Sequence, residues 1–424
     1  MFLNFFILQK IALRFAKSPS ARAKENRFEF CRRADNVCLV CGYFFVVDKT
    51  AVLNYNNCKD YRFKGLFFMK VRGENLKDYF YNYVDESVDK KGRYTFFRFT
   101  RAQRKVYSKS VMFGVMSESG AGIRMSFDTD GDRFSLRYKL TKINNMLPEW
   151  IKNNGMGKFF RQLVQLSKQA TAAKGVAFFN HGIDVYINGQ KAKTIKAKKR
   201  RIRFKFFNPE KEKVHIDVYL PLFCNIAVRR LHCNGNVSPA VTPKRRMICF
   251  GDSITQGFYA QSPTDCYVGL LAKNLDFDAI NQGVGGYMFD PDVLVDCDKL
   301  GNAEAVTVAY GTNDWRFGDD FEVVRQNARA FFEKLHLIYR ETPVFVLTPI
   351  WRSDCDIKTK VGEFEAVRQM IAQEASAYPD FYVIDGLKLV PHDKNYFADG
   401  FLHPNDKGFA IMAQHVTEEM RKKV

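Results

Sequence analysis

The stretch "MICFGDSITQG", Met247–Gly257, decides how this chain is read. Four apolar residues in an unbroken run suit a strand buried on both faces, as in a parallel sheet. Gly251 then permits a tight turn, and Ser253 opens the next helix. A hydroxyl at the carboxyl end of such a strand stands where a nucleophile belongs. An ordinary Gly-Ser turn is the plainer reading of the same residues.

The same rhythm runs on to the end of the chain. Apolar runs "FDAINQG", "AVTVAYG", "PVFVLTPI" and "FYVIDGL" alternate with helical stretches such as "FEVVRQNARAFFEKLHLIY" and "VGEFEAVRQMIAQEASAY". Short β-branched runs separated by helices predict βαβ crossovers and a parallel sheet covered on both faces, with function gathered at the carboxyl ends of its strands.

Three later loops fall at such ends. "NQGVGGY", residues 281–287, has glycines spaced wrongly for a dinucleotide fingerprint, but it can bring a bare backbone N–H to an oxyanion. "AYGTNDW", residues 309–315, offers the Asn313 amide to the same point. "ADGFLHPND", residues 398–406, supplies His403 as a general base. His336 and His415 lie within helical stretches, and His392 in "LVPHDKN" is the rival.

Taken in order, "GDSIT", "NQGVGG", "GTND" and "DGFLHPN" resemble the four blocks of the SGNH (GDSL-type) hydrolase family, over about residues 246–424. The resemblance implies a flavodoxin-like three-layer α/β/α fold and ester hydrolysis with no metal or other cofactor. It makes Ser253 the nucleophile and His403 the base, with the Ser253 N–H, the Gly286 N–H and the Asn313 amide as oxyanion hole. The family sets an aspartate three residues before the histidine to orient it. Here position 400 is glycine and Asp399 stands four residues before, so Asp399 is the candidate and a backbone carbonyl the alternative. Asp252 and Trp315, beside the serine and the oxyanion asparagine, are candidate pocket residues, and Trp315 suits core packing equally well.

Before the parallel-sheet half the pattern changes. "RYTFFRFT", "GIRMSFDT", "RFSLRYKLT", "GIDVYING", "RIRFKFF" and "VHIDVYLP" alternate with period two between Gly, Asp and Asn turns, which predicts an antiparallel β-sandwich. In "RRIRFKFF" the residues Arg201, Arg203 and Lys205 share a face opposite Ile202, Phe204 and Phe206. The phrase "DTDGD" at 128–132 reads as a hairpin turn, because a calcium loop would carry its glycine two positions later. The expected organisation is an accessory segment at 1–68 and a sandwich at 69–233 with a basic helical insertion at about 143–174. A linker at 234–245 and the catalytic domain at 246–424 complete it. Met69 could be an alternative start. Sandwich, linker and "GDSIT" together resemble two-domain SGNH esterases whose β-domain is similar to a carbohydrate-binding jelly roll.

Charge divides the chain. Of a formal +20, the residues from Arg246 onward hold 18 Lys and Arg against 27 Asp and Glu, or −9, which leaves +29 before them. Such a field favours an anionic partner, whether acidic polysaccharide, nucleic acid or lipid headgroup. A solubilising surface is the alternative, and no motif points to specific nucleic-acid recognition. No apolar stretch reaches the roughly 18 residues of a transmembrane helix. In "MFLNFFILQKIALRFAKSPSA" the apolar core precedes the charges, contrary to a secretory signal, although Lys10, Arg14 and Lys17 at helical spacing would also suit a membrane surface. Ten cysteines lack the spacing of a disulfide scaffold, so a reducing, cytoplasmic setting is expected, with secretion or a membrane surface as alternatives. Cys38 and Cys41 have zinc-knuckle spacing, with Cys31 and Cys58 the nearest further ligands.

The expected activity is hydrolysis of a short acyl ester, such as acetyl, on a carbohydrate-like alcohol or oligosaccharide. A lysophospholipase- or thioesterase-type acylhydrolase, or a weakly catalytic protein that binds anionic polymers, are the alternatives.

Overall fold

The computed structural model describes residues 37–40, 43–46, 69–141, 182–197, 200–240 and 245–424. The expected helical insertion, the side chains of Cys38 and Cys41, and most of the first 68 residues lie outside them. The chain forms two compact units, Met1–Lys64 and Gly65–Val424. The first contains an antiparallel pair, β1 (Val37–Val40) and β2 (Tyr43–Val46).

The second unit begins with a sandwich. Its strands are β3 (Met69–Arg72), β4 (Phe80–Tyr81), β5 (Asp85–Val88), β6 (Tyr94–Phe97), β7 (Arg124–Thr129), β8 (Arg133–Thr141), β9 (Gly182–Ile187), β10 (Gln190–Lys196), β11 (Arg201–Lys205), β12 (Val214–Tyr219), β13 (Asn225–Cys233) and β14 (Val237–Pro239). One sheet runs β10-β9-β12-β7-β14 with β4 on β7, and the other β11-β8-β13-β6-β5 with β3 on β13. All these pairings are antiparallel. Alternate residues point inward, so Phe127, Leu136, Val185, Ile216, Val218 and Leu231 fill the space between the sheets.

The "DTDGD" turn departs from the hairpin expected of it. It carries the chain from β7 in one sheet to β8 in the other. The Asp130 carboxylate accepts the Asn236 N–H and side-chain amide at 2.6 and 2.7 Å, which ties the corner to the stretch after β13. Local turn chemistry is the same for a hairpin and for a sheet-to-sheet corner, so spacing alone could not separate them.

Five parallel strands follow: β15 (Arg245–Gly251), β16 (Phe277–Gly283), β17 (Ala305–Ala309), β18 (Val344–Leu347) and β19 (Phe381–Ile384), in the order β16-β15-β17-β18-β19. Met247 to Phe250 are completely buried, as the unbroken apolar run predicts. Strand order reverses at β15, so the crevice of this flavodoxin-like sheet opens between the ends of β15 and β17. Packed helices include Phe321–Ile338, which buries Val324, Ala328, Phe331, Phe332 and Leu335 along one stripe, and Asp406–Met420, capped by the Asn405 side chain.

Sandwich and parallel sheet share one core. Phe99, Tyr107, Met116, Leu222 and Phe223 from the sandwich side join the cluster beneath the parallel sheet. Tyr107 and Met116 lie on two helices between β6 and β7, Arg101–Tyr107 and Val111–Ser117, that the period-two reading passed over. The first begins with a capping box, Thr100 and Gln103, legible in "TRAQ". Buried polar groups fasten the same join. Arg124 of β7 pairs with Asp278 of β16 at 2.8 Å and with Asp217 at 2.6 Å, while Asp184 of β9 accepts from the Ser262 and Thr264 hydroxyls at 2.8 and 2.6 Å. No helix among the described residues is long and apolar enough to cross a membrane.

Candidate active site

Ser253 stands two residues past the end of β15 and opens the four-residue helix Ser253–Gln256. Asp252 caps that helix, its Oδ1 accepting the Ile254 N–H at 2.9 Å. The serine is only 4% exposed, and its hydroxyl donates to Nε2 of His403 at 2.8 Å. On the far side of the ring, Nδ1–H donates to Oδ2 of Asp399 at 2.7 Å. Serine, imidazole and carboxylate form one unbroken chain.

Asp399 lies four residues before His403 and still reaches it, and the loop shows how. Gly400 turns back with φ +66°, a left-handed conformation that costs glycine little. The turn aims the N–H groups of Phe401, Leu402 and His403 at Oδ1 of Asp399, at 2.9, 2.9 and 3.1 Å. The Ala398 N–H donates to the His403 carbonyl at 2.8 Å and closes the loop. Burial pushes the Asp399 carboxyl up, but the His403 hydrogen bond and charge, with the amides of Leu402 and His403, hold it below its ordinary value.

The glycine loop after β16 packs directly on the serine helix. A Cβ on Gly283 would meet the Gln256 nitrogen at 2.4 Å, so only glycine allows this approach. The loop's amides are nearly all engaged. Gly283 N–H donates to the Asn281 side chain, Val284 to the Gly251 carbonyl, Gly285 to the Gln256 side chain and Tyr287 to the Val284 carbonyl, each at 2.9 to 3.0 Å. The Gly286 N–H is left without a partner among the described residues, as is that of Ser253. Asn313, at the start of the helix Thr312–Phe317 after β17, already uses its amide, donating to the Tyr287 carbonyl at 3.1 Å and to Oδ2 of Asp252 at 3.2 Å.

Asp252 and Asp314 are both buried carboxyls. Burial pushes each up to about 7, against the pull of the amides they accept from. Trp315, considered for the pocket, has no exposed surface. Its Nε1–H donates to the Gly362 carbonyl at 3.0 Å and its ring meets Phe364, so it belongs to the core. His392 is elsewhere, donating to the Leu387 carbonyl at 2.9 Å and stacking on Trp351. His336 and His415 lie within helices.

Residues matching the GDSL-like Lipase/Acylhydrolase family are 249–411, the span from β15 into the last helix. That span is a GDSL-like acylhydrolase domain. Such a domain is a carboxylic ester hydrolase, and here it is preceded by the β-sandwich. Three of the solved structures that share the fold are the following. A salicylyl-acyltransferase, SsfX3, from a tetracycline biosynthetic pathway is 15% identical with a TM-score of 0.66, covering 84% of this chain and 97% of its own. A family two carbohydrate esterase from Cellvibrio japonicus is 14% identical with a TM-score of 0.55, covering 84% and 98%. An acetyl xylan esterase, Est2A, from the rumen bacterium Butyrivibrio proteoclasticus is 13% identical with a TM-score of 0.51, covering 84% and 98%. No curated protein matches the chain.

Around the GDSL-like site stand residues that the motifs did not announce. Phe258 stacks on the His403 ring at 5.6 Å and Tyr259 lies against it at 5.3 Å. They directly follow the quoted Gly257, and aromatic pairs are too common in apolar turns to signal a site. Phe113 of the sandwich comes up beside Gly286 and meets the Tyr287 ring at 4.9 Å. Fully buried Arg98, just beyond β6, donates to the carbonyls of Asn281 at 2.6 Å, Gly283 at 2.7 Å and Met116 at 2.9 Å, and to the Ser119 hydroxyl at 3.1 Å. Burial without a carboxylate beside it pushes its pKa down to about 9. Among the described residues no group of His, Cys, Asp and Glu is arranged to hold a metal ion.

Proposed function

We propose that the protein cleaves a short acyl ester, acetyl above all, from a carbohydrate alcohol through an acyl-enzyme on Ser253. The observation that carries this reading is the chain from the Ser253 hydroxyl through His403 to Asp399, with links of 2.8 and 2.7 Å. In the first half-reaction His403 Nε2 takes the Ser253 proton as Oγ attacks the ester carbonyl. The tetrahedral oxyanion is met by the free Ser253 and Gly286 N–H groups, and by the Asn313 amide turning one N–H away from Asp252. The C–O bond to the alcohol then breaks, and His403 returns the proton to that oxygen. Water repeats the sequence against the acyl-enzyme, releasing the acid and restoring the serine. Asp399 holds Nδ1 protonated throughout, so Nε2 faces the serine as an acceptor.

The mouth of the site bears on the size of the acyl group. Ser253 is nearly buried and Phe258 and Tyr259 flank His403, which favours a small acyl group over a long one. The similar folds of a carbohydrate esterase and an acetyl xylan esterase support a sugar alcohol. Turnover of chromogenic aryl acetate and aryl octanoate by the purified protein and by Ser253→Ala tests both parts. The intact protein should favour the acetate, and the variant should lose about a thousandfold or more. Equal rates in protein and variant would remove the nucleophile, while preference for the octanoate would point to a lipid-type acylhydrolase.

A further inference from the structure

The sandwich uses its two outer faces differently. One sheet turns Arg124, Asp184 and Asp217 into the join with the parallel sheet. The other presents a basic surface that its strand register organises. Arg201 of β11 stands opposite Arg137 of β8, Arg137 opposite Arg230 of β13, and Arg230 opposite Arg72 of β3. Four arginines therefore form one row across four adjacent strands. Their chain neighbours Ile202, Leu136, Leu231 and Val71 are in register too, and all are buried, so the arginines point outward. The next row holds Arg203, His232 and Lys70.

Like charges directly opposite on neighbouring strands destabilise a sheet. None of the four arginines forms an ion pair with a described carboxylate, and Nε of Arg230 and Nε2 of His232 are buried with no partner among the described residues. The crowding shows in the protonation equilibria. Arg72, ahead of burial and of Arg230, pushes Lys70 down, while burial and then Arg230 push His232 down. A row that no described carboxylate neutralises is arranged for negative charge from another source.

We propose that this face binds a linear acidic polysaccharide bearing one carboxylate per sugar, with the Arg201–Arg137–Arg230–Arg72 row pairing successive carboxylates. Strands lie about 4.8 Å apart, so the row offers a guanidinium at intervals close to the length of one sugar ring. Each guanidinium fork matches a carboxylate in two-pronged geometry. Phe207, 90% exposed and two residues beyond Lys205, offers a flat ring for the apolar face of a sugar. A bilayer would call for a set of apolar side chains beside the charges, and the row next to the arginines is polar throughout, Arg203, Ser135, His232 and Lys70. Duplex DNA would meet the same charges only through its phosphates, so it stands as an outcome of the test below. This site is independent of the ester chemistry at Ser253.

The test is affinity electrophoresis of the full chain through gels containing polygalacturonate, at low and at raised salt. The protein should be retarded, less so at raised salt, and the variant R72Q/R137Q/R201Q/R230Q should bind about tenfold more weakly or worse. The matching set of Arg→Lys changes should retain most of the binding, and the double variant R201Q/R203Q on the edge strand should lose part of it. Removing repulsion should leave the unfolding midpoint of the Gln variant unchanged or raised, so lost binding would not reflect lost folding. Failure of polygalacturonate to retard the intact protein, or equal retardation of intact and Gln proteins, would overturn the proposal. So would tighter binding to phosphatidylserine vesicles or to duplex DNA at the same salt.

Discussion

At the scale of the residue, Asp399 uses its two oxygens for different ends: one gathers three backbone amides and the other accepts the imidazole Nδ1–H. Asp399→Asn separates them. The asparagine Oδ1 can still accept from the loop, but its Nδ2 is a donor facing a donor on His403. We expect kcat on an aryl acetate to fall by about 10³- to 10⁴-fold with little change in unfolding midpoint. A fall of less than tenfold would mean that the ring is oriented by something else. Asp252 makes a different prediction. Its folded pKa of about 7 lies above the ordinary 3.8, so the folded state holds a proton that the unfolded chain releases first. The stability this lends is complete below about pH 4 and is lost as pH rises through about 7. Asp252→Asn should flatten the stability profile over that window, as read by urea unfolding at a series of pH values. An undiminished slope would place the proton uptake on Asp314 or another group.

At the scale of the element, the loop Gly283–Tyr287 is held from both sides. Gln256 and Asn281 engage its amides, while Arg98 grips the Asn281 and Gly283 carbonyls from the sandwich. Among the described residues, the Gly286 N–H is the one amide of this loop without a partner. Arg98→Met would strand several buried acceptors, and we expect a loss of about 3 kcal/mol or more in denaturant unfolding. Turnover of the aryl acetate should fall with it, because Gly286 would no longer be fixed. Arg98→Lys restores a charge without the fork and should recover only part of either loss. Nothing in "FFRFT" marks this arginine, since a single basic residue in a strand-like run reads as one more outward-facing side chain.

At the scale of the whole molecule, the two faces of the sandwich serve different ends. Its join with the parallel sheet combines the shared core of Phe99, Tyr107 and Phe223 with buried ion pairs, and its far face carries the arginine row. Part of the positive charge behind the split of +29 against −9 thus gains a location. The chain by itself determined the two halves and the reacting groups. Period-two runs and unbroken apolar runs answer to local backbone geometry, and "GDSIT", "NQGVGG", "GTND" and "DGFLHPN" each hold the residues that a strand end and tight turn require. Only the tertiary structure decided that "DTDGD" turns a corner between sheets and that Trp315 packs in the core. It alone brings Asp399 round to His403, puts Arg98 beneath the glycine loop, and sets four arginines in one row. These depend on register and packing between residues up to about two hundred positions apart, and such pairings leave no periodic trace in the order of the residues.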